Sequence, residues 1–346
     1  MKSRRKTALC LIIFPILAAL SVWTVVSFGR GFSMEKFLEY LRMVSVPGLV
    51  GAVLAMLAYV VTEGLSLRFI CGRLGCRVSL GRSLSWSATD IFFSAITPSA
   101  TGGQPAAAVM MLHDGVPVAA SSVALLLNLV CYTLSILILA PVSIFMWPEI
   151  FTQFGPVSMV LIVVGSLIQL GLAVVFILLI YKDQWIFRLA GGCLKLLSRL
   201  HLVGNLKRRL KALEKKMPEY RACARIVGKD KKLLIGVLGY NLLQRLALLM
   251  VPVCVFLGQG GALRQSPGIL AAQACVVLGS NPIPLPGAMG VADYLFLDGY
   301  SRLVPDVVSM ELLSRGISFY GCFLICGLTV LVTRLVHRVQ RRRKKT

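Results

Sequence analysis

Charged residues inside apolar stretches are the first candidates for binding chemistry in this sequence. They are Asp90, Arg245, Asp293, Glu311 and Arg315. A buried guanidinium can hold a phosphate through two parallel hydrogen bonds, and a buried carboxylate can hold a cationic group. Structural explanations remain open for all of them. Arg245 could pair with Asp90, and Glu311 and Arg315 have the four-residue spacing of an intrahelical ion pair. Asp293 could simply stabilise the first turn of a helix.

Two segments rich in Pro and Gly provide a second set of candidates. One extends from Thr97 to Pro105 and the other from Gly279 to Gly290. Such segments interrupt helices, and the helix that follows each of them would direct unpaired N–H groups towards an anion such as phosphate. The predicted headgroup-binding residues of these segments are Thr97, Gly102, Gly103, Gln104, Gly287 and Gly290.

The apolar limbs on either side of each segment determine how these residues are positioned. Regions 84–112 and 268–299 each have two limbs of about ten to fourteen residues, shorter than the ~20 needed to cross a bilayer. We therefore predict two re-entrant hairpins, since irregular backbone at membrane depth requires packing in protein or a polar cavity. Two unrelated kinked spans are the alternative.

The composition requires a membrane protein. Of 346 residues, 57% are hydrophobic and 15% charged, with a mean hydropathy of +0.81, whereas soluble domains carry about 25% charged residues. We predict an all-α polytopic fold with about six full spans, near 8–28, 46–67, 118–145, 157–181, 233–258 and 308–333. Asn128, deep in its span, is expected to join helices. Glu63, near Arg68, is expected to lie at the membrane boundary.

The net charge of +23 is explained by topology. If these spans are right, thirty of the 37 Lys and Arg residues face one side, which is the bias of cytoplasmic loops. Both termini are then expected to be cytoplasmic. The order of two spans, a hairpin and a span recurs in reverse orientation, which predicts the inverted repeat of alternating-access transporters. The predicted regions are 1–181, a basic loop 182–232 with an interfacial helix, 233–335 and a basic tail 336–346.

Other classes of function have little support in the sequence. The longest segment outside the spans has about 50 residues, too few for a soluble enzyme domain. We find no metal cluster, phosphate-binding Gly loop or nucleophile–base motif, so we expect no cofactor, no metal and no direct contact with nucleic acid. An intramembrane hydrolase would need an acid pair, for which Asp90 and Asp293 are the conceivable candidates.

Several motifs resemble the flippase-like membrane domain of bacterial phosphatidylglycerol lysyltransferases, the multiple peptide resistance factors. They are the segment from Thr97 to Pro105, the run from His113 to Val116 and the run from Pro284 to Asp293. Arg315, followed by Ser318 and Tyr320, resembles the closing helix of that family. The likeness covers about residues 46–335. The second motif usually ends in Glu, and Asp293 replaces it here.

The resemblance implies a lipid translocator that handles phosphatidylglycerol or its lysyl ester and contributes to resistance against cationic antimicrobial peptides. Arg245 or Arg315 would bind the phosphate and Asp293 a cationic moiety. Full-length members carry a soluble domain that transfers lysine from lysyl-tRNA, and we expect none within these 346 residues. One alternative is the membrane subunit of a lysyltransferase whose catalytic partner is a separate chain. Another is a membrane scaffold, and an oligomer is compatible with either.

Overall fold

The computed structural model describes residues 33–97, 100–181, 188, 191–192, 195 and 206–343. These residues are all-helical, with no strand among them. The helices are α1 Met34–Met43, α2 Val46–Arg73, α3 Leu80–Ala95, α4 Gly103–His113, α5 Val118–Met146, α6 Pro156–Tyr181, α7 Leu206–Lys229, α8 Lys231–Gly258, α9 Ser266–Ser280, α10 Val291–Tyr300, α11 Val307–Arg315 and α12 Cys322–Arg343. A π-helical turn, Gly316–Gly321, joins α11 to α12.

Five stretches are long and apolar enough to span a membrane: Val46–Arg73, Val118–Met146, Pro156–Ile180, Lys231–Gly258 and Val307–Thr333. They confirm five of the six predicted spans. Four agree with the prediction to within a few residues, and the span predicted at 46–67 continues to Arg73. The predicted span 8–28 and most of the predicted interfacial helix lie outside the described residues. Apolar side chains such as Val160, Val163 and Leu167 are exposed on α6, as expected of a surface that faces lipid.

The two Pro- and Gly-rich segments each separate a pair of short helices. α3 packs against α4, and α9 packs against α10, so both regions form helical hairpins. α3, α4, α9 and α10 have 16, 11, 15 and 10 residues, and each is too short to cross a bilayer alone. The first hairpin begins at Leu80 and the second at Ser266, slightly before the predicted limits.

The centre of the bundle is formed by α2 and α8, which share the most extensive contact among the described helices. Gly48 of α2 and Gly258 of α8 pack backbone to backbone, and a Cβ on Gly48 would lie 2.4 Å from the Gly258 Cα. α3 packs on one side of this pair, and α5 packs against both helices. Side chains from α2, α3, α5 and α8 therefore meet inside the bundle.

Candidate functional site

The apex of the first hairpin is held by contacts between α3 and the start of α4. Gly102 N–H donates to Thr97 Oγ1 at 2.9 Å. Gly103 lies so close to α3 that a Cβ on it would overlap Asp90 Oδ1 and Ser94 Oγ. Protein groups thus occupy the positions next to these two glycines, where the sequence suggested that a ligand approaches.

Asp90 organises the hydrogen bonds at this apex. Gln104 Nε2 donates to Asp90 Oδ2 at 2.7 Å, and Ser94 Oγ donates to Asp90 Oδ1 at 3.1 Å. Ser87, about one turn before Asp90 on α3, donates its Oγ to Oε2 of Glu63 on α2 at 3.3 Å, so Glu63 faces the same side of α3 as Asp90. The structure therefore brings the predicted residues of the first hairpin together, with a pair of carboxyl groups beside them.

Glu63 differs from its expected place at the membrane boundary. It is 5% exposed, and its Oε2 accepts hydrogen bonds from Ser87 Oγ at 3.3 Å and from Gln244 Nε2 at 3.1 Å. Arg68 is not its partner, since Arg68 Nε donates to the Val78 carbonyl at 3.1 Å. Proximity to Arg68 in sequence was misleading because α3 and α8 cover Glu63. A carboxylate within an apolar span was the signal that could have identified it.

Arg245 is buried at the centre of α8, with 1% of its surface exposed. Its guanidinium carbon lies 3.5 Å from the centroid of the Tyr132 ring, and its Nε donates to the Tyr132 carbonyl at 3.4 Å. Nη2 has no hydrogen-bond partner. Among the described residues, no carboxylate lies within ion-pairing distance of Arg245, so the pair with Asp90 that the sequence left open is not formed.

Three polar side chains connect α2, α5 and α8 near these groups. Ser66 Oγ donates to Asn128 Oδ1 at 2.6 Å, and Asn241 Nδ2 donates to the same oxygen at 3.0 Å. This contact confirms that Asn128 joins helices. It also fixes the rotation of α8 and therefore the direction of Arg245, which follows Asn241 by one helical turn.

The second hairpin has a different apex. Gly287 and Gly290 have φ values of 61° and 81°, a region that favours glycine. A Cβ on Gly287 would also approach the Phe319 ring to 2.5 Å. At the start of α10, Asp293 Oδ2 accepts the Gly290 N–H at 2.9 Å. Asp293 thus caps the helix, as one of the open explanations held.

Asp293 is also the partner of Arg315. The Arg315 guanidinium forms an ion pair and a hydrogen bond with Asp293 Oδ1, and its Nε lies 3.4 Å from Glu311 Oε1. The intrahelical pair of Glu311 and Arg315 is thereby confirmed. Asp293 is fully buried and Glu311 is 3% exposed, and Glu311 Oε2 has no hydrogen-bond partner. Two acids and one guanidinium leave a formal excess of negative charge if both acids are ionised.

The charged candidates therefore fall into two clusters. The Arg245 cluster comprises Glu63, Asp90, Gln244, Arg245 and Tyr132, whereas the Arg315 cluster comprises Asp293, Glu311 and Arg315. Asp90 and Asp293 belong to different clusters, so they do not form the acid pair that hydrolysis would need. In the described part of the chain, no three His, Cys, Asp or Glu side chains lie together as metal ligands would.

A cavity of about 270 Å³ lies outside both clusters, where the loop after α2 meets the loop after α4. Its lining includes Cys76, Arg77, Arg82, Trp86 and Asp114. Trp86 Nε1 donates to Asp114 Oδ2 at 2.7 Å, and burial raises the pKa of the Cys76 thiol. This cavity, with Arg77 and Arg82 in its lining, lies on the face that the charge distribution predicts to be cytoplasmic.

Comparison with known proteins gives one match. The family model described as "Lysylphosphatidylglycerol synthase TM region" matches residues 10–326 of the 346. No curated protein and no solved structure gives a significant match.

Proposed function

The chain belongs to the family of lysylphosphatidylglycerol synthase transmembrane regions, and from this premise we propose that it moves a phospholipid between the two leaflets of a bacterial inner membrane. The lipid would be phosphatidylglycerol or its lysyl ester. Its movement would alter membrane surface charge and contribute to resistance against cationic antimicrobial peptides. The basic loops and both termini would face the cytoplasm.

The observation that carries this proposal is the unpaired guanidinium of Arg245. A buried cation without an anionic partner is unfavourable by several kcal/mol, and none of the described carboxylates lies within ion-pairing distance. A lipid phosphate has the charge and the oxygen geometry to accept hydrogen bonds from Nη2 and its neighbouring N–H groups. We assign phosphate binding to Arg245 rather than to Arg315, because Arg315 already contacts two acids.

The Arg315 cluster suits the other end of an aminoacylated headgroup. Glu311 Oε2 has no hydrogen-bond partner, and the cluster has a formal excess of negative charge. A lysyl ammonium group could therefore donate to Glu311 without displacing Arg315 from Asp293. α8 packs against α11 and the π-helical turn, so the two clusters are carried by neighbouring elements.

The hairpins supply the proposed moving parts. Their short helices and interrupted apices are typical of re-entrant segments, and an inverted pair of them would allow alternating access. The inverted repeat itself remains a prediction. A lipid held between the apices would be exposed to one leaflet or the other as the two halves rock.

Reconstitution tests the proposal. Purified protein in liposomes should accelerate exchange of a fluorescent phosphatidylglycerol between leaflets, and amine-reactive labelling should report the lysyl ester. Arg245→Gln should slow exchange about tenfold or more, because a hydrogen bond to a charged group contributes about 1.5–3 kcal/mol. Arg264→Gln changes an exposed arginine and should behave like the wild type. No acceleration by the wild type for either lipid would overturn the proposal.

The same preparations test the alternative of a separate catalytic partner. Incubation with lysyl-tRNA and phosphatidylglycerol measures lysyl transfer, and co-purification identifies a transferase chain. Transfer by the complex, without lipid exchange by the isolated chain, would favour a lysyltransferase subunit. A scaffold would show neither activity and would tolerate substitution of the apex glycines.

A further inference from the structure

The pair of Glu63 and Asp90 is a feature that headgroup binding does not use. Both residues are 5% exposed. They lie at the α2–α3 contact, where Ser87, about one helical turn before Asp90, donates to Glu63 Oε2 at 3.3 Å. None of the ion pairs among the described residues includes either carboxyl group. Burial in low dielectric disfavours two negative charges close together, so the geometry favours a pair of acids that holds one proton.

Gln244 is a second and independent observation at the same place. It is 1% exposed, and its Nε2 donates to Glu63 Oε2 at 3.1 Å, whereas its Oε1 is buried without any hydrogen-bond partner. Rotation of the amide would turn Oε1 towards Glu63, where it could accept the O–H of a protonated carboxyl group. Gln244 can thus serve as a partner for Glu63 both with and without a proton.

We propose that Glu63 and Asp90 form a proton-binding site that couples movement of the anionic lipid to a transmembrane proton gradient. This inference rests on the proposed function and deepens it by naming the coupling ion. A water-borne proton would form an O–H bond with one carboxylate on one side of the membrane. The same O–H bond would break on the other side and return the proton to water.

Charge balance around Arg245 gives the direction of coupling. Arg245 follows Gln244 directly on α8. Its guanidinium stacks on the Tyr132 ring, and the Tyr132 hydroxyl contacts that of Tyr59, which lies one helical turn before Glu63 on α2. The guanidinium can be balanced by an ionised acid pair or by a lipid phosphate, and holding both anions there would leave an excess buried charge. Binding of an anionic lipid should therefore be accompanied by uptake of a proton. Lipid and proton would cross together.

The other elements packed around the pair add no permanent charge. Tyr59 on α2 and Tyr132 on α5 share a hydroxyl contact of 3.1 Å, and Cys326 on α12 belongs to the apolar core that includes Ala88 of α3. From α4, the contact is the neutral Gln104 amide. Among the described residues, the hydrogen-bond partners of Glu63 and Asp90 are all neutral, and Arg245 is the cation next to one of them, Gln244.

The Asp90 contacts provide the link to the moving hairpin. Gln104 is the second residue of α4, and its amide donates to Asp90. A change in the charge of the pair therefore acts on the apex of the first hairpin as well as on α8. The site lies at the contact between the elements that would move and the arginine that would hold the phosphate.

The test uses liposomes with a pH gradient. The full chain is reconstituted with a trace of short-chain fluorescent phosphatidylglycerol, at pH 8 inside and pH 6 outside, with the electrical potential clamped by potassium and valinomycin. The labelled lipid in the outer leaflet is read by extraction with albumin. Coupled transport should enrich the label in the inner leaflet, and reversing the gradient should reverse the enrichment. For one proton per lipid the limiting ratio changes about tenfold per pH unit, whatever the orientation of the protein.

Variants separate coupling from transport. Glu63→Gln should equilibrate the label between leaflets without following the gradient, and Asp90→Asn should do the same if Glu63→Gln fails to fold. Glu149→Gln alters an exposed carboxylate and should follow the gradient like the wild type. In parallel, infrared spectra should show a carboxylic-acid C=O band in the wild type that Glu63→Gln weakens.

The outcomes are distinguishable. If the wild type equilibrates the label equally with and without a pH gradient, or follows a sodium gradient instead, the coupling is wrong and translocation stands. Gradient-dependent enrichment by Glu63→Gln would also overturn it. If the wild type moves no lipid under any gradient, the proposed function fails and the coupling fails with it. Absence of the infrared band would overturn the proton site independently.

Discussion

Arg315 and Asp293 form a buried ion pair that ties the π-helical end of α11 to the first turn of α10. The same carboxylate caps α10 through the Gly290 N–H. One acid therefore fixes both the start of a short helix and the position of an arginine from a different span.

Removing the acid from this pair should destabilise the protein. Asp293→Asn leaves a buried guanidinium with a weaker partner and weakens the helix cap, so we expect a loss of about 3–5 kcal/mol. Thermal unfolding in detergent measures it. Arg315→Gln in the Asp293→Asn background should restore part of the loss. The exposed pair of Lys216 and Glu219 is the control, and Glu219→Gln should cost at most about 1 kcal/mol. Equal stability of Asp293→Asn and the wild type would contradict the assignment.

A methyl group at the first apex should separate α3 from α4. Gly103→Ala would place a Cβ against Asp90 and Ser94, and overpacking of this kind costs about 1–3 kcal/mol. Lipid exchange should fall together with stability, because Gln104, the next residue, is bonded to Asp90 and would be displaced. Gly72→Ala is the matched change, since Gly72 is helical with open space around it. It should leave stability unchanged or raise it by up to about 1 kcal/mol. Wild-type stability and lipid exchange in Gly103→Ala would show that α3 and α4 are packed less closely at the apex than described.

The polar contact between α2, α5 and α8 should contribute modestly to stability. Asn128→Ala removes the acceptor shared by Ser66 and Asn241, and such interhelical bonds contribute about 0.6–1.7 kcal/mol in membranes. Unfolding in detergent measures the loss. Thr329→Ala is the comparison, because the Thr329 hydroxyl is bonded within its own helix and exposed. A larger loss for Thr329→Ala than for Asn128→Ala would contradict the role of Asn128.

Topology can be tested with cysteine labelling. Arg77→Cys lies in the predicted cytoplasmic loop after α2, and Leu263→Cys lies in the loop between α8 and α9 that should face outwards. Leu263 is 75% exposed and Arg77 is also exposed. A membrane-impermeant maleimide applied to intact cells should add label to Leu263→Cys alone, and permeabilised cells should label both above the wild-type background. The reverse pattern would invert the predicted orientation.

The sequence predicted the spans well because length and hydropathy are properties of one segment at a time. Five spans, the two interrupted hairpins and the pairing of Glu311 with Arg315 follow from local spacing. Partners across helices were harder to predict. Glu63 accepts hydrogen bonds from Ser87 and Gln244, which are distant in sequence, and the rotation of each helix decides such contacts. The same reason explains why Asp293 was expected to be available for a ligand but is bonded to Arg315.

The π-helical turn at Gly316–Gly321 lets the last membrane span, Val307–Thr333, present two different faces to its neighbours. A wider turn shifts the helical phase, and one extra residue corresponds to about 100° of rotation. Before the turn, Arg315 faces the second hairpin. After it, Phe323 stacks on Phe92 of the first hairpin, with ring centroids 4.7 Å apart. The last crossing therefore contacts the second hairpin through Arg315 and the first through Phe323, so one helical segment holds both hairpins in a fixed relative position.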